Sequence, residues 1–185
     1  MAEADQVENS AAQSGASALG AQANPSARLR SGGPGPNFDL LRRLINFWPP
    51  LLFSGIRVRS IAEDWSRVEA ELRLSWRNRN GAGVIFGGTL FAMTDPFYPL
   101  MIQHRLGPDY LVWTKSAEID FVSPGRDLAR VVFLLSEEDI AAIKAATAGG
   151  EKHLQSFSIE ITDRQGETIA RVTLIVYVRK KRMQA

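Results

Sequence analysis

One segment governs what this chain can fold into. Between Gly87 and Arg105 stand Leu90, Phe91, Met93, Phe97, Tyr98, Met101 and Ile102, with few charges among them, before Gly107 and Pro108 end the run. Read as one helix, its apolar side chains go nearly all the way round, and such a helix must be buried on most sides. The rest of the chain has to supply the cover.

Strands can do so. Val68, Ala70, Leu72, Leu74 and Trp76 alternate with Arg67, Glu69, Glu71, Arg73 and Ser75, the period of a half-buried antiparallel strand. Further strands are expected at 56–61, 111–122, 129–135, 153–162 and 168–178. In the second of these, 111–122, Trp113, Ala117, Ile119 and Phe121 are expected on one face, with Lys115 beside them. Ala129 to Leu135 is continuously apolar, and Asp163-Arg164-Gln165-Gly166 is a hairpin turn. Ser136 and Asp139 open a short helix that Gly149-Gly150 stops. Strands that are mostly neighbours in sequence pair antiparallel. The expected class is α+β, a curved antiparallel sheet wrapped around one long central helix.

Ahead of the sheet, Leu41, Leu44, Ile45 and Trp48 recur at helical spacing from Phe38, until Pro49 and Pro50 stop the helix. Arg42 and Arg43 are too few to make a basic face, so a cap on the core is expected rather than a membrane-surface helix. Residues 1–37, rich in Ala, Ser, Gly, Gln and Pro, have almost no large apolar side chains to offset the entropy of ordering. They are read as a disordered tail, and 38–185 as one domain.

Composition removes several kinds of chemistry. Cysteine is absent, so disulfides, thiolate nucleophiles and Cys metal sites are excluded. The two histidines, His104 and His153, have no ligand spacing, and no metal site is expected. A net charge of +2 makes no case for nucleic acid, and the Arg179-Lys180-Lys181-Arg182 run reads as a solvated end. No apolar run approaches the ~18 residues of a membrane span. The opening residues, with Glu3, Asp5 and Glu8, do not resemble a secretory signal, so a cytoplasmic location is expected.

The chemistry is concentrated around 80–98. Asn80-Gly81-Ala82-Gly83-Val84-Ile85-Phe86-Gly87-Gly88, followed by Leu90-Phe91-Ala92-Met93-Thr94-Asp95, resembles the loop-and-helix signature of hotdog-fold thioesterases of the phenylacetyl-CoA type. That signature reads Asn, two residues, Gly, two residues, His, Gly, Gly, then an apolar helix bearing an acid, and the spacing matches from Asn80 to Asp95. A closer resemblance, through Phe86–Tyr98 and Val112–Ala117, is to a hotdog branch known only as a domain of unknown function. The resemblance implies a hotdog fold. It further implies an acyl-CoA or acyl-carrier thioester with an apolar acyl group as substrate, and a homodimer or dimer of dimers with a site shared between subunits. It implies no cofactor beyond the coenzyme A of the substrate.

The residue types suit that reaction. Gly87 and Gly88 open the helix with unpaired N–H groups and no side chain to block approach, a fit for a developing oxyanion. Asp95 would activate water or attack, and Asn80 would orient the water or the carbonyl. Phe86, Phe91 and Trp113 are candidates for an acyl pocket, and Lys115 and Arg126 for coenzyme A phosphates. Two features depart from a simple hydrolase. Phe86 stands where the signature has His, and a phenyl ring can neither donate nor accept a proton. Pro96 directly follows Asp95, where it removes an N–H, clashes with the carbonyl of Ala92 and kinks the helix. The loss of His leaves a second reading, a non-catalytic hotdog module that binds an acyl chain or other apolar ligand. A dehydratase of hydroxyacyl thioesters is a weaker third, since it calls for an Asp/His pair.

Overall fold

The computed structural model describes residues 38–181. The expected tail, 1–37, lies outside them. The helix expected from Phe38 is α1, Phe38–Phe47. Pro49 and Pro50 do end it, but they also begin a second helix, α2, Pro49–Ser54. Proline suits a first turn, where its missing N–H would have no partner in any case. Asn46 ties α1 to the sheet: its side chain donates to Val58 O at 3.1 Å and accepts from Val58 N at 2.7 Å.

Strands β1 (Ile56–Ile61), β2 (Arg67–Arg73), β3 (Tyr110–Phe121), β4 (Leu128–Leu134), β5 (Lys152–Thr162) and β6 (Thr168–Lys180) form one six-stranded sheet in the order β1-β2-β4-β5-β6-β3. Every pairing is antiparallel. The hairpin expected at 163–166 joins β5 to β6; Asp163 Oδ1 accepts from the N–H groups of Gln165 and Glu167, each at 2.9 Å. The helix after β4 is α5, Glu137–Ala146, opened by a reciprocal cap between Ser136 and Asp139. β4 is less enclosed than its sequence implies, since Val132 and Leu134 face outward and are exposed.

The segment expected as one helix is two, α3 (Gly87–Ala92) and α4 (Phe97–Leu106). The break is at the proline. Thr94, fully buried, donates from N and Oγ1 to Phe91 O at 3.0 and 2.7 Å and closes the first helix. Pro96 caps the second, so it does not clash within a helix. Its carbonyl takes the Leu100 N–H at 3.2 Å. α4 is buried along one face rather than on most sides, with His104 exposed on the other. Phe97, Tyr98, Met101 and Ile102 are buried in one cluster with Phe133, Phe157, Leu174 and Val176 of the strands. Phe97 lies 4.9 Å from Phe133, and Tyr98 stacks on Phe157 at 3.8 Å. Burial pushes the Tyr98 hydroxyl up to about 12.

β2 ends at Arg73, so the alternation expected to continue to Trp76 does not, and Trp76 is exposed. Asn78 is the reason. It is 2% exposed, accepts from Ser75 N at 2.8 Å, and donates to Arg73 O at 2.9 Å and Ser54 O at 3.1 Å. Its backbone carbonyl receives the Phe86 N–H at 2.7 Å. One buried amide thus joins the end of α2, the end of β2 and the approach to α3.

Two stability outcomes follow. Asn78→Ala strands three backbone groups in the interior and costs about 2–4 kcal/mol in urea unfolding. Phe133→Ala costs about 3–5 kcal/mol, whereas the same truncation at the next residue, Leu134, stays within roughly 0.5 kcal/mol because that side chain faces out. Equal losses at the two positions would contradict the inward and outward register of β4.

Candidate functional site

The loop from Asn78 to Phe86 is held at both ends before it delivers α3. Asn80 Oδ1 accepts from Ala82 N at 3.0 Å and Val84 N at 3.3 Å, and Asn80 N donates to Val84 O at 2.9 Å. The side-chain oxygen of Asn80 is therefore engaged in its own loop, and its Nδ2 is the group left for a ligand. Ile85 N donates to Gly125 O at 2.8 Å, which docks the loop on the turn after β3. Arg126, exposed, is thereby carried to the same end of the molecule as Gly87 and Gly88.

At the start of α3 the carbonyl of Phe86 receives the N–H groups of Thr89 at 2.9 Å and Leu90 at 3.2 Å. For the N–H groups of Gly87 and Gly88 there is no acceptor among the described residues. Both glycines lie under phenyl rings that would have to move to admit a side chain. A Cβ on Gly87 would meet the Phe121 ring at 2.8 Å, and one on Gly88 would run into the ring of Phe86. Phe86, at the position where the thioesterase signature has His, thus covers Gly88 with an apolar face, 55% exposed on its outer side. Because α3 has only six residues, its dipole is small; the two N–H groups would act as local donors.

Asp95 lies in the break between α3 and α4, not two turns into a continuous helix. It is exposed, and its carboxylate has no partner among the described residues. Its backbone is pinned to β3, where Thr114 Oγ1 donates to Asp95 O at 3.2 Å. Phe121, near the other end of β3, is the residue packed on Gly87. Gly87-Gly88 and Asp95 therefore border the same strand at different points. At the rise of a helix, the residues between Gly87 and Asp95 amount to roughly 12 Å. A reacting carbonyl needs both groups within about 3 Å. One chain does not bring them to one atom.

β3 is an edge strand, paired among the described residues only with β6. Its register also changes the expected faces. A bulge falls between Thr114 and Ser116, with Lys115 the unpaired residue. Trp113 pairs with Tyr177 and stacks on it at 3.9 Å, while Ala117 and Ile119 pair with the buried Leu174 and Val172. Trp113 is thus on the opposite face from Ala117 and Ile119, outside the sheet, and does not meet Phe86 or Phe91 across the helix side. Lys115 is exposed beside Thr114, at the Asp95 end. Phe91 is 36% exposed on α3. Sequence reading missed Asn78 and Phe121. The first carried a signal, a buried-type amide just before a glycine-rich loop; the second is visible only through its packing.

The histidines are elsewhere. His104 stacks on Trp65 at 3.9 Å, and partial burial holds its imidazole below the usual range. His153 meets Gln155 at 2.9 Å. No group of three acidic or imidazole side chains among the described residues is arranged to hold a metal. No helix among them is long and apolar enough to cross a membrane.

Comparison with known proteins gives this geometry a family. A Pseudomonas aeruginosa protein of unknown function, described as a probable thioesterase, is similar over 80% of this chain and 97% of its own, with 21% identity and a TM-score of 0.69. A Haemophilus influenzae thioesterase is similar over 80% and 93%, with 16% identity and a TM-score of 0.59. The PaaI protein of the E. coli phenylacetic acid degradation operon covers 74% of this chain and 88% of its own, at 15% identity and a TM-score of 0.51. Likeness at these identities establishes the fold, which is the thioesterase-like hotdog. No curated protein matches the chain. The model of the family described as a domain of unknown function (DUF4442) matches residues 39–178, and to that family this hotdog chain belongs.

Proposed function

We propose that the protein is an acyl-CoA thioesterase-like hydrolase acting on a thioester with an apolar acyl group, through a site shared by two copies of the chain. The observation that carries the reading is the placement of Gly87-Gly88 and Asp95 along one edge strand, β3. Antiparallel pairing of β3 with its counterpart in a second copy, centred near Ala117 and Glu118, sets Thr114 of one protomer opposite Phe121 of the other. Asp95 of one copy then approaches Gly87-Gly88 of the other, closing the gap that a single chain leaves open.

In this arrangement the Gly87 and Gly88 N–H groups polarise the thioester carbonyl and take the charge that develops on its oxygen. The Asp95 carboxylate draws a proton from water, which attacks the carbonyl carbon; the C–S bond breaks and the thiolate leaves as free thiol after protonation. Phe86 and Phe91 form the apolar wall for the acyl group. Arg126, at the glycine end, and Lys115, at the aspartate end, are placed for phosphates of the carrier. A homodimer is the minimum assembly, and no cofactor is used.

Phe86 favours a second reading, a module that holds an acyl chain without cleaving it, because the ring offers surface and no proton chemistry. One set of assays separates the two. With a panel of medium- and long-chain acyl-CoAs, free thiol is released by the wild type, and Asp95→Asn lowers the rate by about 100-fold or more with an unchanged far-UV spectrum. Acyl-CoA binding without thiol release supports the module instead. Mixing Asp95→Asn with Gly88→Val, each inactive alone, restores about a quarter of the wild-type rate if subunits exchange freely, since half of the dimers then carry one intact composite site. Sedimentation that shows exchange with no recovered activity removes the shared site.

A further inference from the structure

The α1–α2 pair presents two faces. One is committed to the fold: Phe38, Leu41 and Ile45 pack against the core, Leu51 is 2% exposed, and Asn46 is bonded to both backbone groups of Val58. The other holds Leu44, Phe47, Trp48, Leu52 and Phe53, all exposed, Phe47 and Phe53 by 70% and 71%. Single exposed apolar side chains are ordinary, but a group of this size on two short adjoining helices marks a surface that meets something apolar.

A cleft of about 360 Å³ adjoins that face. Phe47 and Leu52 line it together with Arg42, Arg43, Arg57 and Arg77, and no acidic residue is among its lining. Through Gly55 and Arg57 it continues into a second cleft that adds Arg59 and Arg73, with Glu71 the one acid there. Arg42 and Arg43 were too few to make a basic face when α1 was read as a lone helix. The strands and the loop after β2 bring the others to the same place, a juxtaposition the sequence does not display.

We propose that this face docks the protein on an anionic lipid surface. Phe47, Trp48, Leu52 and Phe53 enter the boundary between headgroups and acyl chains, and Arg42, Arg43, Arg57 and Arg77 take the lipid phosphates. Charge decides among occupants. A second copy seated on the same face by a two-fold would set arginine cleft against arginine cleft, which repels. Arg42 is paired with the exposed Asp39 at 3.2 Å, but a neutral apolar partner would leave Arg43, Arg57 and Arg77 without counter-charge as they are desolvated. A bilayer with anionic headgroups satisfies both parts at once, apolar side chains at the acyl boundary and cations at the phosphates. The helices lie on such a surface and do not cross it. The inference is independent of the hydrolase reading, since none of these residues belongs to that site.

Flotation of the full chain with vesicles tests it. The protein floats with vesicles of equal phosphatidylcholine and phosphatidylglycerol, not with phosphatidylcholine alone, and raised salt releases it. Each arginine near an anionic surface is worth about fivefold in partitioning, so Arg43→Glu with Arg57→Glu lowers vesicle binding more than tenfold. Phe47→Ser with Phe53→Ser lowers it comparably while melting temperature and thioesterase assays stay at wild-type values. Equal flotation on neutral vesicles, or binding indifferent to both double variants, overturns the proposal. So does binding to poly-glutamate without binding to vesicles, which assigns the face to an acidic protein. A drop in sedimentation coefficient of Phe47→Ser/Phe53→Ser in the absence of lipid also overturns it, because the face is then a contact between copies.

Discussion

The fold depends on the burial of α4. Phe97, Tyr98, Met101 and Ile102 give that helix one face that cannot meet water, while His104 on the other side is exposed. Each such side chain is worth about 1.5–3 kcal/mol when taken from solvent, so the chain gains most by folding the inner faces of its strands onto them. The alternation in β2, β5 and β6 is the complement of that demand. Phe133, between Phe97 and Tyr98, joins the helix to the middle of the sheet. What lies outside this core, the α3 entrance, the Asp95 turn and the α1–α2 pair, is where apolar and ionisable side chains remain exposed.

Much of this was legible in the sequence, because periodicity reports burial directly. The residues of β1, β5 and β6, the capped helix α5 and the Asp163 turn were all where local chemistry put them. Three things were not. Pro96 was read as a kink within a helix, yet it separates two helices, because Thr94 closes α3 before the proline can clash. The bulge at Lys115 reverses the face of Trp113, and no pattern in Val112–Ser116 announces an unpaired residue. Trp76 continued a regular alternation, but a buried Asn78 captured the backbone on both sides of the strand end, and a hydrogen bond outranked a period of two.

The candidate site shows the same division. Its residue types and spacing, from Asn80 to Asp95, could be read off the chain, and so could the departure at Phe86. Its geometry could not. That Asn80 is engaged within its own loop and that Gly87 lies under Phe121 are properties of packing between segments distant in sequence. The arginines beside α1 illustrate the point most plainly: Arg42, Arg43, Arg57 and Arg77 come from a helix, a strand and a loop, and no window of the sequence contains them together.

β3 carries a cost beyond chemistry. Within a single chain, Tyr110–Phe121 is a long strand with one of its two ladders bare among the described residues, and only the bulge at Lys115 interrupts its regularity. A bare ladder of that length is a template for any extended chain it meets, including the unfinished strands of its own siblings. During synthesis β6, its partner among the described residues, is the last of the six strands to emerge, so β3 spends that interval with neither side satisfied. Crowded expression would punish such a chain before any catalytic defect could be noticed, and slow, cool production should favour recovery of folded material.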